Sequence, residues 1–192
     1  WEPTVLTARA EGPAPVPSGL RITRAPAPVP APLLRSGRRS TRVNQWLFVP
    51  DVYAPWVPGA ILLGSRLLAT ERFDALFSSS PRASVHVVAA VLARQSAVPW
   101  LADYRDPWTT YQFRRYPTPA HREAHRRLEA WCLRRAAAVT AVNRPILDDL
   151  LAPIFGEVAE VDWTHHIPRL VDYWCRILRR EGGPAGSVTA VH

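Results

Sequence analysis

The sequence predicts an α/β fold built on a doubly wound, mostly parallel sheet. Three observations carry that expectation. Residues 73–102 read strand, helix, strand, a unit that closes with parallel pairing. Residues 121–142 repeat the helix and strand. The strands at 98–102 and 138–142 are apolar on nearly consecutive positions, as in strands covered on both faces.

The elements follow in order. Thr4-Val5-Leu6-Thr7 is a short strand with β-branched residues. Residues 11–18 carry three Pro and a Gly and form a loop. Leu20-Arg21-Ile22-Thr23 alternates apolar and polar, a second strand. Residues 25–32 alternate Ala or Val with Pro, which favours extended polyproline-like chain. Arg35, Arg38, Arg39 and Arg42 form a basic cluster without an acid, expected as a solvated loop or an anion-binding patch.

A helix is expected over 58–70, with Ile61, Leu62, Leu67 and Leu68 as its buried stripe. A strand follows at 73–77. Ser80 then reads as N-cap and Pro81 as first helical residue of a helix reaching about Arg94, with Val87, Val88, Val91 and Leu92 inward. Residues 121–137 form the next helix, with Leu128, Trp131 and Cys132 inward, and Asn143 caps a helix entered at Pro145. Residues 163–180 place Trp163, Ile167, Leu170, Trp174, Ile177 and Leu178 on one face, so a helical C-terminal tail is expected. The pattern divides the chain at about residue 150, into 1–150 and 151–192.

The composition sets bounds. An apolar content of 47% over 192 residues is ample for a core and excludes wholesale disorder. No apolar run approaches the roughly 20 residues of a membrane span. All 24 basic residues are Arg against 16 acids, a net charge of +8. That excess fits nucleic acid, a phosphorylated small molecule or an anionic lipid surface. No recognition helix or basic-aromatic sheet motif accompanies it, so no specific nucleic-acid partner is expected. Cys132 and Cys175 sit in apolar helical patterns and read as buried thiols in a reducing, cytoplasmic setting.

In a doubly wound sheet, ligands bind beyond the carboxyl ends of the strands. That rule selects the loops 78–81, 103–108 and 143–144. Asp103 and Asp106 flank Arg105 directly after a buried strand. A carboxylate there can act as general base or hold a hydroxyl-rich acceptor, and the Arg can bind phosphate through two hydrogen bonds. Ser79 and Ser80 at a helix start can meet a phosphate or a sugar hydroxyl. His121 and His125 have i, i+4 spacing, but the order His-Arg-Glu-Ala-His lacks a third ligand, so no metal is expected.

Three stretches carry a resemblance. They are Phe73-Asp74-Ala75-Leu76-Phe77-Ser78-Ser79-Ser80-Pro81, Val98-Pro99-Trp100-Leu101-Ala102-Asp103-Tyr104-Arg105-Asp106-Pro107-Trp108, and Arg134 through Asn143. Together they resemble the acceptor-side, Rossmann-like N-terminal domain of family 4 glycosyltransferases of GT-B fold, over about residues 1–150. The resemblance implies a retaining transfer of sugar from a nucleotide-sugar donor to an acceptor. Asp103 and Asp106 are then catalytic, and Arg105, Trp108, Ser79, Ser80 and Asn143 bind substrate, with no cofactor. It also implies peripheral association with the anionic inner face of the membrane. Trp1 to Thr7 resembles the family's second strand, so a first strand with its glycine-rich turn is expected before Trp1. A donor-binding domain is expected where the tail stands, and the piece by itself is expected to be inactive.

The tail carries a second resemblance. Leu151-Ala152-Pro153-Ile154-Phe155, Asp162-Trp163-Thr164-His165-His166, Tyr173-Trp174 and Val188 to His192 resemble part of a group III truncated haemoglobin. That likeness implies a haem-binding alternative, with His192 as iron ligand and His166 facing the bound gas. It makes 151–192 a separate piece joined near residue 150.

Overall fold

One sheet of six strands organises the protein, in the order β2-β1-β6-β3-β4-β5, and every neighbouring pair runs parallel. The strands are β1 (Thr4–Ala8), β2 (Arg21–Ala25), β3 (Phe73–Ser79), β4 (Trp100–Tyr104), β5 (Ala138–Ala141) and β6 (Ser187–Val191). The helices are α1 (Ala31–Leu34), α2 (Arg38–Leu47), α3 (Val57–Thr70), α4 (Ala83–Ser96), α5 (Pro119–Leu133) and α6 (Arg144–Phe155). The computed structural model describes residues 2–9, 19–34, 38–111, 114–155 and 187–191.

The core lies where α3 and α4 cover the sheet. Leu6, Leu76, Val88, Leu92, Trp100 and Ala102 are buried there with Trp56 and Ala60. Gly64 lets α3 close on α4: a Cβ at this position would meet Leu92 Cδ1 at 2.5 Å. The absence of a side chain therefore sets how near the two helices pack.

The parallel α/β prediction holds, and several elements differ in detail. The stretch read as polyproline-like ends in a helical turn, α1, and part of the basic cluster lies in α2 rather than in a loop. Once α1 turns the chain, Asn44 Nδ2 donates to the Leu33 carbonyl and joins the two helices. On α3 the fully buried positions are the small residues Ala60 and Gly64, Ile61 and Leu68 of the predicted stripe pack half-buried against the core, and Leu62 faces solvent. At the closest point of the crossing, Gly64 makes room for the Leu92 side chain.

Ser80 is not an N-cap. Helix α4 begins at Ala83, after an extended Arg82 that makes no side-chain cap. The Asp51 carboxylate caps the helix from a distance instead, accepting from the Ser84 N–H at 2.9 Å and the Ser84 hydroxyl at 2.6 Å. Strand β5 is half-buried rather than enclosed, and among the described residues no strand pairs beyond it.

The end of the chain adds an element that the sequence pattern did not mark. Helix α6 runs to Phe155, and Ser187–Val191 forms β6, in the middle of the sheet between β1 and β3. Ser-Val-Thr-Ala-Val is a β-branched run, and between β1 and β3 it satisfies two open rows of backbone groups. The predicted helix over 163–180 and both haem residues of the alternative, His166 and His192, lie outside the described residues. The five residues before His192 are a central strand.

Candidate functional site

The carboxyl ends of β3, β4 and β5 lie side by side, and their register builds the site. Ser79 pairs with Asp103, and Asp103 with Thr140. The Asp103 carboxylate accepts the Ser79 hydroxyl on one oxygen and the Thr140 hydroxyl on the other, each at 2.7 Å. Both oxygens are thereby engaged in tying three strand ends together. The Ser80 N–H donates to the Asp103 carbonyl at 2.9 Å. Its hydroxyl oxygen accepts the backbone N–H groups of Arg105 and Asp106 at 2.7 and 3.2 Å. Ser80 thus fixes the turn that carries Arg105 and Asp106, both exposed.

A cavity of about 250 Å³ opens beside this turn. Ser80, Asp106 and Trp108 line it, with Arg82, His86, Tyr104 and Arg114. Four of the predicted site residues therefore sit in or next to one cleft: Ser80, Asp106 and Trp108 in its wall, and Arg105 beside Asp106. Asp103 and Ser79 stand behind it as its frame. Asn143 is exposed at the end of β5, and its Oδ1 accepts the Ile146 N–H at 3.0 Å as the cap of α6.

His86, Tyr104, Arg82 and Arg114 were not singled out by sequence reasoning. A His inside an apolar helix and a Tyr inside an apolar strand read as ordinary core. Only their positions at the strand ends mark them. His86 is fully buried, and its Nδ1 lies 2.8 Å from the Ser78 hydroxyl, which also accepts the Trp100 indole N–H at 2.8 Å. Burial lowers the His86 pKa to about 3, so the ring is neutral. The Tyr104 ring stacks on it with centroids 4.4 Å apart and planes 18° from parallel. Burial raises the Tyr104 pKa and keeps the phenol protonated.

The two histidines at metal spacing turn to different partners. His121 Nδ1 lies 2.8 Å from the Thr118 hydroxyl at the start of α5. His125 is buried, and its Nδ1 accepts the Trp108 indole N–H at 3.0 Å, with Arg114 at 3.2 Å. Burial and then Arg114 lower its pKa to about 4, which leaves Nδ1 free to accept. The pair anchors Trp108 in the cavity wall. Behind it, Glu129 accepts the hydroxyl and N–H of Thr109, and burial raises its pKa to about 6. Among the described residues, no group of three or more His, Cys, Asp or Glu could hold a metal, and no helix is long and apolar enough to cross a membrane.

A family model described as "Glycosyl transferase 4-like domain" matches residues 1–162. No curated protein and no solved structure matches the chain.

Proposed function

The chain belongs to the glycosyl transferase 4-like domain family, and on that premise we propose that its cavity holds the acceptor of a sugar transfer from a nucleotide-sugar. The carrying observation is the cleft at the ends of the adjacent parallel strands β3 and β4, lined by Ser80, Asp106 and Trp108. In such a transfer the acceptor oxygen bonds to the anomeric carbon. The bond to the leaving diphosphate breaks, and the hydroxyl proton must go to a base. Asp106 is that base in this reading, because its carboxylate faces the cleft from a turn that Ser80 holds. Asp103 is a positioning residue whose two hydroxyl partners keep the strand ends in register. Trp108 forms a wall for the sugar and Arg105 meets phosphate at the exposed rim, while Asn143 caps α6 outside the lining of the cavity. For the transfer to retain configuration, the acceptor oxygen must enter on the face from which the diphosphate leaves, with its proton going to the base, and donor binding draws on residues beyond this cleft.

The test is incorporation of label from UDP- and GDP-sugars into phosphorylated acceptors. Asp106→Ala should lower the rate by about 100-fold or more, as expected for loss of a general base. Turnover unchanged in this variant removes Asp106 from the role. Incorporation overturns the expectation that the piece is inactive by itself, and absence of incorporation with every donor overturns the reading of this chain as a transferase on its own.

A peripheral seat on an anionic membrane fits the same domain. Leu34, Val43, Trp46, Leu47 and Val49 are all exposed around α2, which also carries Arg38, Arg39 and Arg42. Apolar and basic residues sharing one surface helix suit a lipid interface. Gln45 on the same helix lines the cavity, so a lipid-borne acceptor would have a short path in. Co-sedimentation with phosphatidylglycerol vesicles should fall in Trp46→Ser/Leu47→Ser and be weak with neutral vesicles. Equal binding of the variant overturns this placement.

A further inference from the structure

A second cavity, of about 220 Å³, lies beside the cleft, between α2, the segments 48–52 and 114–117, and α5. Gln45, Arg82 and Arg114 line both cavities, whereas Arg115 and His125 line only the second. Its charge is one-sided: Arg82, Arg114 and Arg115 stand against the single carboxylate of Asp51. That carboxylate is committed to the fold. Its Oδ1 accepts the Tyr53 N–H at 2.8 Å and the Ser84 hydroxyl at 2.6 Å, and its Oδ2 accepts the Ser84 N–H at 2.9 Å.

Among the described residues, none of the three arginines forms an ion pair. The Arg82 guanidinium carbon lies 5.5 Å from the centroid of the Tyr53 ring, over its face. That contact uses the flat side of the group and leaves its N–H edge for an acceptor. Three cations sharing one cavity repel each other, and an anion between them removes the repulsion. A phosphate brings up to two negative charges and three strong acceptor oxygens, where a carboxylate brings one charge and two oxygens.

The wall of this cavity is also tied to the cleft. His125 Nδ1 has one lone pair, and two donors compete for it: the Trp108 indole N–H at 3.0 Å and Arg114 Nη1 at 3.2 Å. Trp108 lines only the cleft, and His125 only the second cavity. An anion that draws Arg114 to itself leaves the lone pair to Trp108 and strengthens the bond that holds that ring.

We propose that the second cavity binds a phosphate-type anion through Arg82, Arg114 and Arg115, and that its occupation tightens the seat of Trp108 in the cleft wall through His125. The site goes beyond the transferase reading and stands whether or not the cleft carries a transfer. A dissolved phosphomonoester and a lipid headgroup offer it the same chemistry.

Nitrogen-15 NMR of the indole groups in the full chain tests it at constant ionic strength, with inorganic phosphate, glycerol 3-phosphate and acetate as probes. Trp108→Phe identifies the Trp108 signal. That indole proton should move downfield and saturate with either phosphate, and should need about 10-fold more acetate. Arg115 is exposed and outside the cleft lining, and Arg115→Ala should weaken phosphate binding about 5-fold or more. Arg66→Ala removes the same charge from an exposed position on α3 and should leave binding unchanged. Arg115→Ala losing no more than Arg66→Ala overturns the site, as does a shift that never saturates. Saturable broadening in phosphorus-31 NMR with the Trp108 proton unmoved overturns the link to the cleft. Vesicles of phosphatidic acid separate the sources: displacement of bound glycerol 3-phosphate assigns the site to a lipid headgroup, and its retention to a free phosphate. None of these readouts depends on sugar transfer, so the label-incorporation assay judges that reading separately.

Discussion

Thr140 Oγ1 donates to Asp103 Oδ1 at 2.7 Å across the ends of β4 and β5, and this bond secures the edge strand. A hydrogen bond to a carboxylate contributes about 1.5–3 kcal/mol. Thr140→Val should therefore lower unfolding stability by about 2 kcal/mol in urea titration. Asp106→Ala, at an exposed turn, should change it little. Equal stability of Thr140→Val and the parent would show that Asp103 does not brace the sheet.

Glu129 gives the protein a pH dependence of one sign. Its folded pKa of about 6 lies above the 4.5 of the free side chain, so the folded state holds the proton longer. The stabilisation is full below pH 4.5 and is lost as pH rises to about 6, amounting to about 2 kcal/mol. Glu129→Gln keeps an acceptor for Thr109 and should erase this fall. Denaturant midpoints from pH 4 to 8 provide the check.

His86 acts in the opposite direction. Its folded pKa of about 3 lies below the 6.5 of a free imidazole, so below pH 6.5 the unfolded chain binds a proton that the folded chain refuses. Stability should fall as pH drops from 6.5 toward 3, at up to about 1.4 kcal/mol per pH unit. His86→Gln should flatten that slope even if its stability is lower throughout. An unchanged slope would assign acid lability to another group.

The central strand should be indispensable. Thr189 of β6 lies opposite both Thr4 and Leu76. Proline there removes a ladder donor from an interior strand and should cost about 3 kcal/mol or more. Ser187, at the strand end, should tolerate proline better. Thermal melts of the two variants compare them, and equal melts would argue against an inner position for β6.

Much of the site was legible because its residues are local. Ser79-Ser80 and Asp103 through Trp108 each sit within one strand end and its turn, and a parallel sheet must bring such ends together. The roles inside that cluster were not legible. Asp103 and Asp106 look alike in sequence, yet one is engaged by Ser79 and Thr140 while the other faces the cleft. Ser80 reads as a helix cap and instead holds the Asp106 turn, because the α4 cap comes from Asp51, 33 residues before Ser84.

The sequence alone determined the parallel α/β class, the strand–helix alternation and two loops of the cleft, 78–81 and 103–108. Hydrophobic period and turn chemistry are local properties, and they suffice for those. Tertiary structure alone decided that Ser187–Val191 enters between β1 and β3, and that the buried rings of His86 and Tyr104 stack beside the cavity. Both depend on contacts between residues far apart in the chain, where the choice of partner is made by which backbone rows and buried groups remain to be satisfied.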